Sequence, residues 1–309
     1  MDTALALTRG SPVGAWAALN NLRLEHGSYT GILRPGNGQP PLVGQVHYNA
    51  GERAARIAYI LPRRALESPE LPKLIENLSE AACLGGAVCL LAEVDESSPA
   101  VEQMRRSGCI VYARQRVWKL SQTPNAGAKP KLWEPASSLD VIAIRNLFQS
   151  LVPPLVQSAE PVSDHSDHGF IYEKDGNLLG YVEAIYGPQG IYLLPLIHPD
   201  CEDVPALLAS LAASTPFHLG RPIYISIRSY QAWLENLLAD MQATSSERQA
   251  LLVRHLAEAQ RVPAYAARNG VMEKHQPAML DTQAGETTVP LVQHTLAGKN
   301  GSAQTGIKQ

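Results

Sequence analysis

The strongest constraint in this sequence is a repetition. Residues Gly85–Leu120 read GGAVCLLAEVDESSPAVEQMRRSGCIVYARQRVWKL. Taken in order, this is an apolar run over Ala87–Val94, a Ser98-Pro99 helix start, a short helix to Arg106, a break at Gly108 and a second strand over Cys109–Leu120. From Gly220 the chain reads GRPIYISIRSYQAWLENLLADMQATSSERQALLVRHL, with the same order of apolar strand, amphipathic helix, break and long strand. The copies start about 135 residues apart, which is the size of an ordinary domain. With 309 residues, 45% of them apolar, the chain can bury two such cores. The expectation is a duplicated domain with two sheets, not one large sheet.

What precedes each copy repeats as well. In the first half, Ser28–Leu33, Leu42–Tyr48 and Ala54–Leu61 read as strands, joined by the turn-forming stretches RPGNGQPP and NAGE into an antiparallel meander. A helix follows, with its apolar stripe on Leu71, Leu74, Ile75, Leu78 and Ala82, and it stops at Gly85-Gly86. In the second half, Phe170–Glu173, Leu178–Tyr186 and Ile191–Ile197 repeat the meander around a Lys174–Asn177 turn and a Gly187–Gly190 turn, and Val204, Leu207, Leu208 and Leu211 mark the matching helix. Before the meanders, residues 3–8 (TALALT) are expected as a strand, Val13–Leu24 as a helix, and Val141–Leu151 as a helix that Ser138 caps. Residues 121–131 are polar, contain prolines and lack periodicity, as a linker does. Glu258–Arg268 reads as a helical extension interrupted by Pro263, and from Asn269 the composition becomes that of a mobile tail.

Charge and composition exclude several functions. A net charge of −3 supplies no field for nucleic acid or an anionic membrane. Nor does any apolar run approach the roughly 18 residues of a membrane span, or the N-terminus have a signal layout, so a cytoplasmic location is expected. The four cysteines, Cys83, Cys89, Cys109 and Cys201, lack C-x-x-C spacing and read as structural free thiols. Ser163–Gly169 holds two histidines and two aspartates, but their spacing matches no established zinc site, and no metal is expected. Cys201 with His198 lacks an orienting third group. Arg105-Arg106 and Arg114-x-Arg116 read as a solvated basic edge.

Meander, helix, strand, helix, strand resembles the GNAT superfamily of acetyl-CoA-dependent N-acetyltransferases in both halves, over most of residues 1–256. The resemblance implies an α/β fold with α+β strand mixing: tandem GNAT-like domains at 1–120 and 132–257, each a mixed, mostly antiparallel sheet flanked by helices, with a linker at 121–131 and a largely disordered extension at 258–309. It implies acetyl-CoA as cofactor, and a small-molecule amine or a protein as acceptor. A splayed central strand pair is expected to leave a V-shaped cleft in each half. The closest stretch is Ile191–Leu211, where Ile197-His198-Pro199-Asp200 resembles the family's strand end. In the family a glycine loop then lets helix N–H groups hold the pyrophosphate of coenzyme A. Here Cys201–Pro205 has no glycine, two carboxylates and a proline, while Pro62–Pro69 has no glycine but carries Arg63 and Arg64, which suit phosphate.

The cofactor-binding candidates are therefore Ile60, Leu61, Arg63 and Arg64 in the first half and Leu196 and Ile197 in the second. Glu93 and Glu183 are the candidate carboxylate bases. At the position of the family's tyrosine acid stand Met104 and Leu238, which cannot donate a proton, while Tyr112 reads as a sheet tyrosine. Two functional readings follow: an acyl-CoA-dependent N-acyltransferase using one half, or a non-catalytic descendant that binds a small molecule or a protein. Nothing in the sequence sets an oligomeric state.

Overall fold

The computed structural model describes residues 1–10, 26–36, 40–49, 52–120, 132–161, 169–215 and 220–256. The expected helix over Val13–Leu24, the linker at 121–131, the extension from 258 and most of the Ser163–Gly169 cluster lie outside the described residues.

In chain order the elements are α1 (Thr3–Arg9), β1 (His26–Leu33), β2 (Leu42–Asn49), β3 (Ala54–Leu61), a 3-10 turn (Arg63–Glu67), α2 (Leu71–Leu84), β4 (Cys89–Asp95), α3 (Ala100–Arg106) and β5 (Ile110–Lys119). Then come β6 (Glu134–Pro135), α4 (Val141–Leu151), α5 (Pro154–Ala159), β7 (Gly169–Lys174), β8 (Asn177–Tyr186), β9 (Ile191–Ile197), α6 (Val204–Ser214) and β10 (Ile223–Arg228). A second 3-10 turn (Ser229–Gln231), α7 (Trp233–Asp240), β11 (Thr244–Ser245) and β12 (Gln249–His255) complete them.

Both meanders form as expected. β1, β2 and β3 pair antiparallel, as do β7, β8 and β9. Between β7 and β8 the chain reverses at Asp175 and Gly176, both at positive φ, which is why an Asp-Gly pair sits there. The predicted stripe of α2 is the first core: Leu71, Leu74, Ile75, Leu78 and Ala82 are all buried.

Three expectations are corrected. Residues 3–8 form a helix, not a strand, because Asp2 caps it by accepting from the Leu5 N–H at 2.8 Å and Ala and Leu favour helix once capped. Ser138 does not cap α4. Asp140 precedes that helix, and its carboxylate instead accepts from the Ser137 N–H and hydroxyl, each at 2.7 Å. The largest correction concerns the sheets. All twelve strands form one sheet, in the order β1-β2-β3-β4-β12-β5-β10-β9-β8-β7-β6, with β11 beside β5.

The last strand of each half has crossed into the other. β12 lies antiparallel between β4 and β5, and β5 lies antiparallel between β12 and β10. The two strands of each repeated β-α-β unit are therefore not adjacent to one another. Burial gives the reason: Leu251, Leu252 and Val253 are fully buried, so β12 needs a partner at both edges and cover on both faces, and the middle of a shared sheet supplies these.

Three apolar clusters follow. The first, under α2 and α3, takes Ala250 and Leu252 from β12, and the second, under α6 and α7, takes Trp118 and Leu120 from the end of β5. The third lies on the face that α4 and α5 cover, with Leu91, Tyr112, Leu147, Val156, Leu196 and Leu251. Arg56 of β3, Gln115 of β5 and Arg228 of β10 bring their polar groups together around Glu93 of β4 and Glu160.

Candidate functional site

Each half has the splayed strand pair expected of it. β3 and β4 pair in parallel only where Ala54–Arg56 meet Cys89–Leu91, and then diverge. The first residues of the chain occupy the opening. The Asp2 N–H donates to the Ala58 carbonyl on one arm at 3.3 Å, and the Thr3 N–H donates to the Glu93 carboxylate on the other at 2.9 Å. The Met1 amino group donates to the Glu93 carbonyl, and the Asp2 carboxylate lies 3.2 Å from His47 Nε2.

Glu93, one of the candidate bases, is consequently an anchor. It also accepts from the Gln115 amide at 3.2 Å and faces Arg56 Nη1 at 3.9 Å. These donors already engage the Glu93 carboxylate oxygens.

Of the other first-half candidates, Ile60 points into the core and Leu61 is exposed. Arg63 and Arg64 lie exposed on the 3-10 turn, and neither makes an ion pair among the described residues. The N–H groups beside them are already used. The Glu70 N–H donates to the Ser68 hydroxyl at 3.2 Å and the Leu71 N–H to the Ser68 carbonyl at 3.1 Å. Pro72 has no N–H, and the Lys73 and Leu74 N–H groups both donate to the Glu70 carbonyl, at 3.1 and 3.4 Å. The start of α2 leaves no donor among these residues for a pyrophosphate.

The second cleft is closed differently. β9 and β10 pair only over Ile191–Leu193 and Ile223–Ile225. Beyond the split, Leu196 and Ile197 are buried on opposite faces, and the buried Gln231 reaches across to donate to the Ile197 carbonyl at 2.8 Å. At the start of α6 the Asp203 carboxylate accepts from the Ala206 N–H at 3.3 Å, Pro205 supplies no donor, and Glu202 pairs with Lys174. The protein's own carboxylate takes the place an anion would hold. Cys201 donates to the Leu179 carbonyl at 3.3 Å, and burial pushes its thiol up, the reverse of what a nucleophile needs. Glu183 reaches the surface from β8, yet desolvation on that face pushes its carboxyl above the usual range. Met104 and Leu238 are fully buried core side chains.

Sequence reasoning missed the group that ties these parts together. Glu160, at the end of α5, lies between two guanidiniums, with Arg56 Nη2 of β3 and Arg228 Nη2 of β10 each 2.9 Å away. Tyr112 of β5 lies beside it as well. Burial opposes the charge on Glu160, but Arg228, Arg56 and these hydrogen bonds outweigh it and hold the carboxyl below the usual range. Burial together with the Glu160 charge puts the Tyr112 hydroxyl well above its usual range, so it stays a neutral donor. Arg228 is 8% exposed and its Nη1 has no partner among the described residues. The only sequence signal for this network was two arginines at inward-facing strand positions. Their acidic partner sits at a helix end in a different part of the chain.

The acetyl-CoA site that the resemblance implies does not fit either half: both helix starts are capped by the chain itself, and both splayed pairs are bridged. Among the described residues no group of three or more His, Cys, Asp and Glu side chains is placed to hold a metal ion, and no helix is long and apolar enough to cross a membrane.

No family model matches this sequence, and no curated protein matches it. Among solved structures, the chain is similar to a GCN5-related N-acetyltransferase from Sphaerobacter thermophilus, with a TM-score of 0.50 and 13% identity over 80% of this chain and 87% of that one. It is also similar to a putative GNAT-family acetyltransferase from Novosphingobium aromaticivorans, with a TM-score of 0.49 and 13% identity over 82% of this chain and 99% of that one. A third is a tandem GNAT protein from the clavulanic acid biosynthesis pathway, at 0.47 and 14% over 82% and 93%. At this identity the likeness is one of fold, and the fold is GNAT-like.

Proposed function

We propose that this GNAT-fold chain is a non-catalytic binding module in which neither half takes acetyl-CoA. The observation that carries this reading is the state of the two helix starts. At α2 the Glu70, Leu71, Lys73 and Leu74 N–H groups are bound within the chain, and at α6 Asp203 serves as the anion. A pyrophosphate would have to displace bonds that the fold already makes, and at α6 it would meet two carboxylates at a cost of roughly 1 kcal/mol each even when partly screened. The filled first cleft and the buried Met104 and Leu238 at the acid positions support the same reading.

One observation favours the other reading, an acyl-CoA-dependent N-acyltransferase. Arg63 and Arg64 are exposed, adjacent and without an ion pair among the described residues, as phosphate-binding arginines would be. Isothermal titration with acetyl-CoA and with coenzyme A decides between them. The binding-module reading expects no saturable heat from the folded protein. Saturable micromolar binding that is lost in Arg63→Glu/Arg64→Glu would overturn it and install the transferase, with the first half as cofactor site.

A further inference from the structure

A cavity of about 250 Å³ lies beside α7. It is lined by Arg114 and Gln115 of β5, Ile227 of β10, Ser229, Glu235 of α7, and Arg248 on the approach to β12. Charge is unbalanced here. Arg114 pairs with Glu96, and Arg116 Nη1 pairs with Glu235 at 2.7 Å. Arg248 is exposed, and its side chain has no ion pair or hydrogen bond among the described residues. Three guanidiniums thus meet two carboxylates, which leaves one positive charge at the cavity.

One further donor is unused. The exposed Ser229 hydroxyl makes no hydrogen bond among the described residues. The Gln115 amide is committed elsewhere, to Glu93, Gln249 and Ser226, so it is a fixed wall. Ile227 is 1% exposed, so this wall of the cavity offers a ligand almost no apolar surface.

We infer that this cavity binds a small organic monocarboxylate, with Arg248 as its charge partner and Ser229 as a hydrogen-bond donor. The charge selects the class. A phosphate group carries about −1.5 to −2 near pH 7 and would exceed the single unpaired cation, whereas one carboxylate matches it and suits a guanidinium fork. Size points the same way. The cavity is below the about 300–1,000 Å³ of pockets that hold drug-sized ligands, which favours a small molecule. This inference is independent of whether either cleft takes acetyl-CoA.

Saturation-transfer NMR on the full chain, titrating butyrate, acetate and inorganic phosphate, tests it, with Arg248→Gln and Ser229→Ala as variants. Both positions avoid the cores, so the fold is expected to survive, and melting curves of the variants check this. Butyrate and acetate are expected to bind saturably, phosphate to bind no better than acetate, and Arg248→Gln to weaken butyrate by at least about tenfold. No saturable butyrate signal up to about 100 mM, or butyrate binding unchanged in Arg248→Gln, would overturn the site. Phosphate outcompeting butyrate would overturn the ligand class. An acetyl-CoA arm in the same series separates this claim from the one above, because acetyl-CoA binding that Arg248→Gln leaves intact defeats the module reading alone.

Discussion

Replacing Glu160 by Gln keeps the shape of the side chain and removes the charge between Arg56 and Arg228. The wild-type carboxylate is 2.9 Å from each guanidinium, and its side chain is 14% exposed. Removing one partner of a buried ion pair costs about 3–5 kcal/mol, chiefly because the other charge is left uncompensated. Here the two arginines differ. Arg228, with 9% of its side chain exposed and no partner for Nη1 among the described residues, takes the full penalty. Arg56 is 33% exposed and keeps Glu93 at 3.9 Å, so its share is partly screened.

The low end of the range, about 3 kcal/mol, is therefore expected, which lowers Tm by about 6–12 °C in a chain of this size. Thermal melts followed by circular dichroism, with urea titration for the free energy, measure it. The cycle that adds Arg228→Leu to Glu160→Leu should recover the larger part of the loss, because the buried Arg228 is no longer stranded and the more exposed Arg56 keeps Glu93. A cost below about 1 kcal/mol, the value of a solvated surface pair, would refute the argument that this network is buried and that it joins the two halves.

Two further outcomes follow from named contacts. A methyl group on Gly187 would lie 2.1 Å from the Thr8 carbonyl oxygen, which already accepts from the Gln189 N–H at 2.9 Å, so Gly187→Ala must push α1 off the β8–β9 turn. A loss of about 1–3 kcal/mol is expected, with faster hydrogen exchange at Gln189 as the local readout. Acid should also act through Asp2 and Glu160. Burial opposes both charges, yet their partners hold both carboxyls below the usual range, His47 at Asp2 and the two arginines at Glu160. The unfolded chain therefore binds these protons more readily than the folded one. Their stabilisation is complete above about pH 5 and is lost as pH falls through the folded values. Melts between pH 7 and 3 should show a steeper decline for wild type than for Glu160→Gln.

Element types were legible wherever a local pattern decided them. The stripe on α2, the Asp-Gly turn and the Gly85-Gly86 stop each depend on residues within a few positions of one another, and all form where the pattern put them. What was not legible depended on distant groups. TALALT is a short apolar run between two threonines, which periodicity alone cannot assign to strand or helix, and only the Asp2 cap and the surfaces beneath it make it a helix. Glu93 looked like a free base because nothing near it in sequence announces that Thr3 and Gln115 would bind it. Arg63 and Arg64 were visible as residues, but the spent N–H groups beside them depend on Ser68 and Glu70 in a turn of unforeseen shape. Glu160 was not singled out, since a carboxylate at a helix end is ordinary until two strands bring arginines to it.

The exchange of last strands has a consequence for how the chain folds. A first half ending at residue 120 would keep β4 and β5 but lose β12 from between them. With β12 go Leu251, Leu252 and Val253, all fully buried. At about 1.5–3 kcal/mol for each such side chain, this removes about 5–9 kcal/mol, comparable to the whole stability of an ordinary domain. The second half loses β5, and with it Trp118 and Leu120 from its core. Fragments 1–120 and 132–257 are therefore expected to melt without cooperativity when alone and to regain a cooperative transition when mixed, because each carries the strand the other lacks. Circular dichroism and size-exclusion chromatography of the separate and mixed fragments test this. A cooperative melt from monomeric 1–120 alone would show that β4 and β5 can pair directly, and that each half is a self-sufficient domain whose last strand is shared only by choice of partner.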